Sequence, residues 1–345
     1  MTSRFLNVYL LLAATVLATA AGGCGQEPEV QTLSGLAQGT TYHVSVWAPE
    51  GLDTGVLQRA IDAEFARLDK LLSNYRTDSA IEQFNGGDST GPFQVGREIV
   101  HLVKQAQKVS EASHGCYDLT VKTLFHLWGF DGVTLTPPSK ERLHEALGRT
   151  GFRHLGTPTE DTLSKAIPGL QVDLSSIAQG YSVDRIAALL ERRGLRNYLV
   201  EIGGELQARG TKPGGAPWRV AVERPLPGKR SLQKILTIKR TAPLAIMTSG
   251  TYRHFFDRDG RRYSHVLDAR IGRPIAHHTL SVTVLHGDPT LADAWSTALL
   301  CLGRQAGLEA ADKAGIAALF IDEESGDLRE FTTRAYAGLS DVEME

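Results

Sequence analysis

Only three cysteines occur in 345 residues, and no two of them form a CxxC pair. The chain also lacks HExxH, a GxGxxG following a strand, and GxxxxGK[ST]. The usual zinc, dinucleotide and P-loop readings therefore have nothing to rest on. An excess of charge of one sign is missing too. Lys+Arg 37 stands against Asp+Glu 39, a formal net charge of -2, and no block of like charge stands out. Electrostatics gives no reason to expect nucleic acid as a partner. What is present, 42% hydrophobic and 22% charged residues, suits a globular chain with a sizeable core, in one large domain or two small ones.

The N-terminus carries its own signal. After Met1-Thr2-Ser3-Arg4 an apolar run extends from Val8 to Ala21, and Gly22-Gly23-Cys24 follows. One positive charge ahead of a short hydrophobic stretch reads as a secretory signal, too short for a comfortable membrane span. Small residues before a cysteine resemble a bacterial lipobox, in which the cysteine thiol is lipidated and becomes the new N-terminus. Ala21 stands where that pattern usually has leucine, which leaves processing by the ordinary signal peptidase open. The expected layout is a signal peptide over 1–23 and a polar, lipidated tether over 24–33. The protein is then exported and lipid-anchored at Cys24 to the bacterial cell membrane, on its periplasmic, extracytoplasmic face. In an oxidising compartment Cys116 and Cys301 can form one disulfide or remain two separate buried thiols, and the sequence leaves both open.

Hydrophobic spacing outlines the elements. Thr41 to Val46 alternates as a strand should, whereas Leu57, Ile61, Phe65, Leu68 and Leu72 keep helical spacing. Ser79-Ala80-Ile81-Glu82 has capping-box spacing and opens a short helix ending near Asn85. A further helix carries Ile99 to Val109 and stops around Gly115; another runs from about Ile177 to Arg193 and is ended by Gly194. Strands are expected over Tyr198 to Ile202, Trp218 to Glu223, around Leu280, Val282 and Val284, and over Ile316 to Asp322. Helices and strands mix without a strict βαβ rhythm, which predicts an α+β fold with a largely antiparallel sheet.

One stretch poses a chemical question. Leu291-Ala292-Asp293-Ala294-Trp295-Ser296-Thr297-Ala298-Leu299-Leu300 is helical in pattern, yet it holds a carboxylate and a hydroxyl four residues apart. Positions i and i+4 share a helix face, so both groups address one point in space. An ordinary reading exists: an aspartate favoured by the helix dipole, and a threonine bonding back to a carbonyl. Neighbouring motifs decide between the two.

Those motifs are Gln38-Gly39-Thr40-Thr41-Tyr42, Ser73-Asn74-Tyr75-Arg76-Thr77-Asp78-Ser79, Asp118-Leu119-Thr120-Val121 with Leu127-Trp128-Gly129-Phe130, and Val172-Asp173-Leu174-Ser175-Ser176-Ile177-Ala178-Gln179-Gly180-Tyr181. Glu201-Ile202-Gly203-Gly204-Glu205, Thr248-Ser249-Gly250, Ser264-His265-Val266-Leu267-Asp268 and the Asp293/Thr297 pair complete the series. Together, and in this order, they closely resemble the ApbE family, the FAD:protein FMN transferases. The likeness runs from about residue 34 to 335. It implies a single ApbE-like (T-fold-like) catalytic domain over 34–335, with a C-terminal tail over 336–345.

The resemblance implies a chemistry as well. Family members bind FAD as substrate, use Mg²⁺, and move the FMN half onto a Ser/Thr hydroxyl of a partner protein through a phosphoester bond, releasing AMP. Magnesium prefers hard oxygen ligands and keeps positions open for phosphates, which suits Asp293 and Thr297. By resemblance the backbone carbonyl of Ala178 is a third ligand. Flavin contacts map onto Gln38, Tyr75, Cys116, Tyr117, Asp118, Ser175, Tyr181 and Leu267. Each has an ordinary alternative: Tyr75 closing a helix, Asp118 capping one, Gly203-Gly204 permitting a tight turn. Catalytic roles fall to Asp293 and to His265, a base near the incoming hydroxyl or else a satisfied structural imidazole. Trp128 is assigned to the core. Expected partners are acceptor subunits of flavin-bearing electron-transfer complexes.

Three positions depart from the family pattern. Gln38 replaces the usual methionine, Gln179 the common lysine, and Ser296 a second carboxylate seen in some relatives. Two other activities remain compatible with the residues: a metal-dependent FAD pyrophosphatase, with water replacing the acceptor hydroxyl, and a non-catalytic FAD-binding lipoprotein.

Overall fold

The computed structural model describes residues 29–48, 51–130, 132, 137–226, 228, 231–252, 255–258 and 261–345. The signal segment and Cys24 lie outside the described residues. Eight strands form one antiparallel sheet, in the order Gln31–Ala37, Thr40–Trp47, Asn197–Ile202, Glu205–Arg209, Leu244–Gly250, Thr279–His286, Ala317–Glu324, Asp327–Thr332. The helices are α1 (Thr54–Leu72), α2 (Ala80–Gly86), α3 (Arg97–Ala112), α4 (Lys122–Trp128), α5 (Lys140–Leu147), α6 (Ser175–Arg192), α7 (Pro289–Ala314) and α8 (Arg334–Ala337). The α+β fold with a largely antiparallel sheet is therefore the one observed.

Local chemistry explains the boundaries. Asp53 caps α1 by accepting from Val56 N–H, and Leu57, Ile61, Phe65, Leu68 and Leu72 form its buried stripe. Ser79 accepts from Glu82 N–H and starts α2. Strand alternation sorts side chains between two cores. In Leu244–Gly250, Ala245 and Met247 join the large core with α1, α3, α6 and α7, whereas Leu244 and Ile246 join a second core on the other face. A three-stranded sheet of Val342–Met344, Leu232–Ile238 and Trp218–Glu223 covers that second core. The sheet is thus covered on both faces near its centre, and Thr279–His286 buries Thr279, Ser281 and Thr283 along with Val282 and Val284.

Two expected boundaries move. The tether ends earlier than residue 33, because Gln31–Ala37 is already a strand paired to Thr40–Trp47 and Leu33 is buried. The segment 336–345 is no free tail: Val342–Met344 pairs with Leu236–Ile238, covering apolar surface that would otherwise meet water. Trp128 lies in a satellite core with Leu124, Leu143, Ala146 and Leu267, and its indole N–H donates to Gly272 C=O at 2.8 Å.

Candidate active site between two helices

Asp288, not Asp293, caps α7, accepting from Leu291 N–H, and Pro289 fills the first helical position. Asp293 sits a turn further in, 5% exposed, with Oδ2 accepting from Gly180 N–H on α6 at 2.8 Å. Burial pushes its carboxyl up to about 7, against the opposing pull of that one N–H donor. Thr297, one turn along, has its Oγ1 2.9 Å from Ser249 Oγ, which lies 2.7 Å from Ser296 Oγ. The residue that bonds back along the helix is Ser296, whose hydroxyl donates to Asp293 C=O at 2.9 Å. The ordinary reading of the Asp293/Thr297 pair thus describes Asp288 and Ser296 instead.

The start of α6 supplies the opposite wall. Gly180 is needed there for closeness: a Cβ would stand 2.5 Å from Asp293 Cβ and 2.5 Å from Pro289 C=O. Two residues earlier, Ala178 C=O accepts from Ser182 Oγ at 2.8 Å, and Ser182 Oγ accepts from Gln38 Nε2 at 2.7 Å. Gln38 and Ala178, assigned to flavin and to metal, are therefore joined through one hydroxyl. Gln38 has φ 52, and its Oε1 is buried with no hydrogen-bond partner. The Gly203-Gly204 turn, with φ 62 and 103, closes over Gln179, whose Nε2 would lie 2.9 Å from a Gly203 Cβ.

A third segment comes in from the loop after α3. Cys116 is bonded to Cys301 of α7, so the two cysteines pair rather than remain free thiols. Tyr117 accepts from Ser176 Oγ at 3.3 Å. Its phenol is pushed well above the ordinary range, first by burial and then by the nearby Asp293, Asp118 and Asp173 carboxylates. Asp118 is buried and uses both oxygens internally, Oδ1 for Thr120 and Oδ2 for Phe152 N–H at 2.6 Å. Burial raises its carboxyl and these donors lower it. His265 is half-buried next to Ser264, whose Oγ accepts from Val266 N–H. Its segment reaches the loop after α3 where Ala269 N–H donates to Cys116 C=O at 3.3 Å.

The remaining assigned residues are more scattered. Ser175 is exposed at the first position of α6, with its N–H on Asp173 Oδ1 at 2.7 Å. Tyr75 is 86% exposed. Tyr181 turns its hydroxyl to Glu98 on α3, in an ionic cluster with Arg67, Glu64 and Arg185. Leu267 packs in the satellite core with Trp128. Sequence reasoning did not assign Ser249 or Ser182 a role in the site. Ser249 was visible only as part of Thr248-Ser249-Gly250, and Ser182 had no signal beyond lying four residues after Ala178.

The side chains on this face of α7 and the strand beside it offer oxygen only: the Asp293 carboxylate and the paired Thr297 and Ser249 hydroxyls, with the Ala178 carbonyl two residues before Gly180 on α6. Among the described residues Gly180 N–H is the donor on the buried Asp293 carboxylate and no cationic side chain pairs with it, an environment that a hard divalent ion completes. The residues fit Mg²⁺.

The ApbE family profile matches residues 38–320. The FAD:protein FMN transferase of Vibrio cholerae is 38% identical over 332 residues, covering 95% of this chain and 97% of that protein. A solved flavin transferase ApbE from Vibrio cholerae superposes with TM-score 0.81 at 37% identity, covering 90% of this chain and 99% of that one. The apo form of the Pseudomonas stutzeri flavinyl transferase ApbE does so with TM-score 0.82 at 39% identity, covering 91% and 97%. This chain belongs to the ApbE family.

Proposed function

We infer that the protein is an FAD:protein FMN transferase, dependent on Mg²⁺ and acting on a Ser/Thr hydroxyl of a partner protein. The likeness to FAD:protein FMN transferases over nearly the full chain supports the transferase reading. The single observation that carries the metal-dependent mechanism is the buried Asp293 carboxylate, held by Gly180 beside the hydroxyls of Thr297 and Ser249.

In the reaction the acceptor oxygen forms a bond to the FMN phosphorus while the pyrophosphate P–O bond breaks and AMP leaves. Such a step depends on positioning and charge stabilisation more than on covalent help. Asp293, Thr297 and the Ala178 carbonyl would hold Mg²⁺, which when bound would supply neutralisation of the pyrophosphate charge. Gly180 N–H fixes the Asp293 carboxylate through Oδ2. The unpaired Gln38 Oε1 offers an acceptor to a flavin N–H or ribityl hydroxyl; leaving it buried and unmet costs about 1–3 kcal/mol. His265 takes the acceptor proton on an imidazole nitrogen. Tyr75, Cys116, Tyr117, Asp118, Ser175, Tyr181 and Leu267 frame the flavin side. Cys116, Asp118 and Leu267 do so mainly as scaffold, since their side chains are engaged internally.

The protein is exported and held at the membrane by a lipid on Cys24, and its acceptors are subunits of flavin-bearing electron-transfer complexes. The signal pattern supports the anchor, and the family resemblance supports the acceptors. Incubating the mature protein with FAD, Mg²⁺ and an acceptor domain tests the function. Covalent flavin on the acceptor with AMP release is the expected result. FMN plus AMP without transfer would indicate a pyrophosphatase, and unchanged FAD a binding protein.

A further inference from the structure

Cys301 lies eight residues beyond Asp293 and four beyond Thr297, so the three side chains follow one another along one face of α7. Its disulfide partner, Cys116, immediately precedes the Tyr117-Asp118 segment on the flavin side, and the two Cα atoms are 5.9 Å apart across 185 residues of sequence. Resting on the site assignment above, we propose that this disulfide is a positioning element of the active site, fixing the flavin loop against the metal-bearing face of α7.

The surroundings support that role. The loop 113–118 turns through two left-handed residues, His114 (φ 54) and Gly115 (φ 80). From Cys116 it continues to Tyr117, which touches α6 through Ser176. Four residues further along α6, Gly180 binds Asp293, which returns the connection to α7. Disulfide, Tyr117–Ser176 and Gly180–Asp293 therefore close a ring through three segments, and only the disulfide is covalent. Cys301 sits mid-way along α7, just ahead of an interruption in the helix. The helix is interrupted two residues later at Gly303 (φ 72, ψ 177), where the His277 ring packs. The His265 segment joins the same ring through Ala269 and Cys116.

A staple that only stabilises the fold would change melting and leave substrate parameters alone. Four forms of the mature protein separate the cases: oxidised; reduced with dithiothreitol; reduced and then reoxidised; and the variant Cys116→Ala/Cys301→Val. Reduction breaks the S–S bond and leaves two thiols, the two electrons and two protons coming from dithiothreitol, which closes to its cyclic disulfide. Transfer is measured against Mg²⁺ and against FAD at temperatures where circular dichroism is native. The reduced protein and the variant should show half-saturating Mg²⁺ and KM for FAD raised roughly 10-fold, with kcat at saturation within about twofold, and reoxidation should reverse the change. Unchanged half-saturation and KM, with only a lower melting temperature, would overturn the proposal. So would activity lost only in proportion to the unfolded fraction. If the oxidised protein transferred no flavin at all, the transferase reading would fall instead.

Discussion

Gly180 N–H donates to Asp293 Oδ2 at 2.8 Å, and the same glycine lets α6 approach α7 until no Cβ fits between them. In an ordinary helix interior, Gly→Ala would stabilise by about 1 kcal/mol. Here the added methyl meets Asp293 Cβ and a backbone carbonyl, neither of which is the far end of a flexible side chain. Overpacking of this kind costs about 1–3 kcal/mol and outweighs the propensity gain. Gly180→Ala should therefore lower the melting temperature and raise the Mg²⁺ needed for transfer. Thermal denaturation and a magnesium titration check both. A stabilised, fully active variant would show that the helices have room to spare.

His265 is assigned a proton-accepting role, so it matters for transfer and not for holding FAD. His265→Ala should lose transfer by roughly 10²–10⁴ in rate while FAD affinity stays within about threefold. Single-turnover transfer and equilibrium FAD titration separate the two quantities. A variant that unfolds, or that loses FAD binding, would make the imidazole structural.

The C-terminal strand is a stability element remote from the proposed chemistry. Ending the chain at Asp341 removes the pairing of Val342–Met344 with Leu236–Ile238 and the two bonds between Ile235 and Glu345. The loss should be on the order of 2 kcal/mol, from uncovered apolar surface and unpaired backbone groups. Chemical denaturation measures it. The half-saturating Mg²⁺ of the folded fraction should not move.

How far the sequence reaches depends on how local each signal is. The five apolar residues of α1 lie on one helical stripe, and α1 forms where that spacing places it, as does α2 behind Ser79. Family order brings Gln38, Ala178 and Asp293 into one proposed site, although they are distant in sequence. What sequence could not reach depends on three-dimensional neighbours. The Cys116–Cys301 bond joins residues with no local pattern linking them. Ser249 enters because the strand Leu244–Gly250 runs beside α7, which no spacing within either element reveals. The last residues looked like a tail because a three-residue strand is too short to show a period.

Anchoring is testable without any knowledge of the acceptor. No helix among the described residues is long and apolar enough to cross a membrane. If Cys24 is the attachment point, Cys24→Ser should move the protein from the membrane pellet into the soluble exported fraction. Retention of the variant in membranes, followed by fractionation and immunoblot, would contradict the lipid anchor.

The central claim is that Asp293 and Thr297 serve one magnesium ion. The carboxylate brings formal charge to a divalent cation, whereas the hydroxyl is a neutral oxygen that water can replace. Removing the first should therefore do more damage than removing the second, and the two losses should not add. The direct measurement is transfer rate against Mg²⁺ concentration in Asp293→Ala, Thr297→Val and the double variant, each shown to be folded. Asp293→Ala should be inactive at every concentration, Thr297→Val should be partly rescued by excess Mg²⁺, and the double variant should be no worse than Asp293→Ala. Normal magnesium dependence in a well-folded Asp293→Ala would contradict the account.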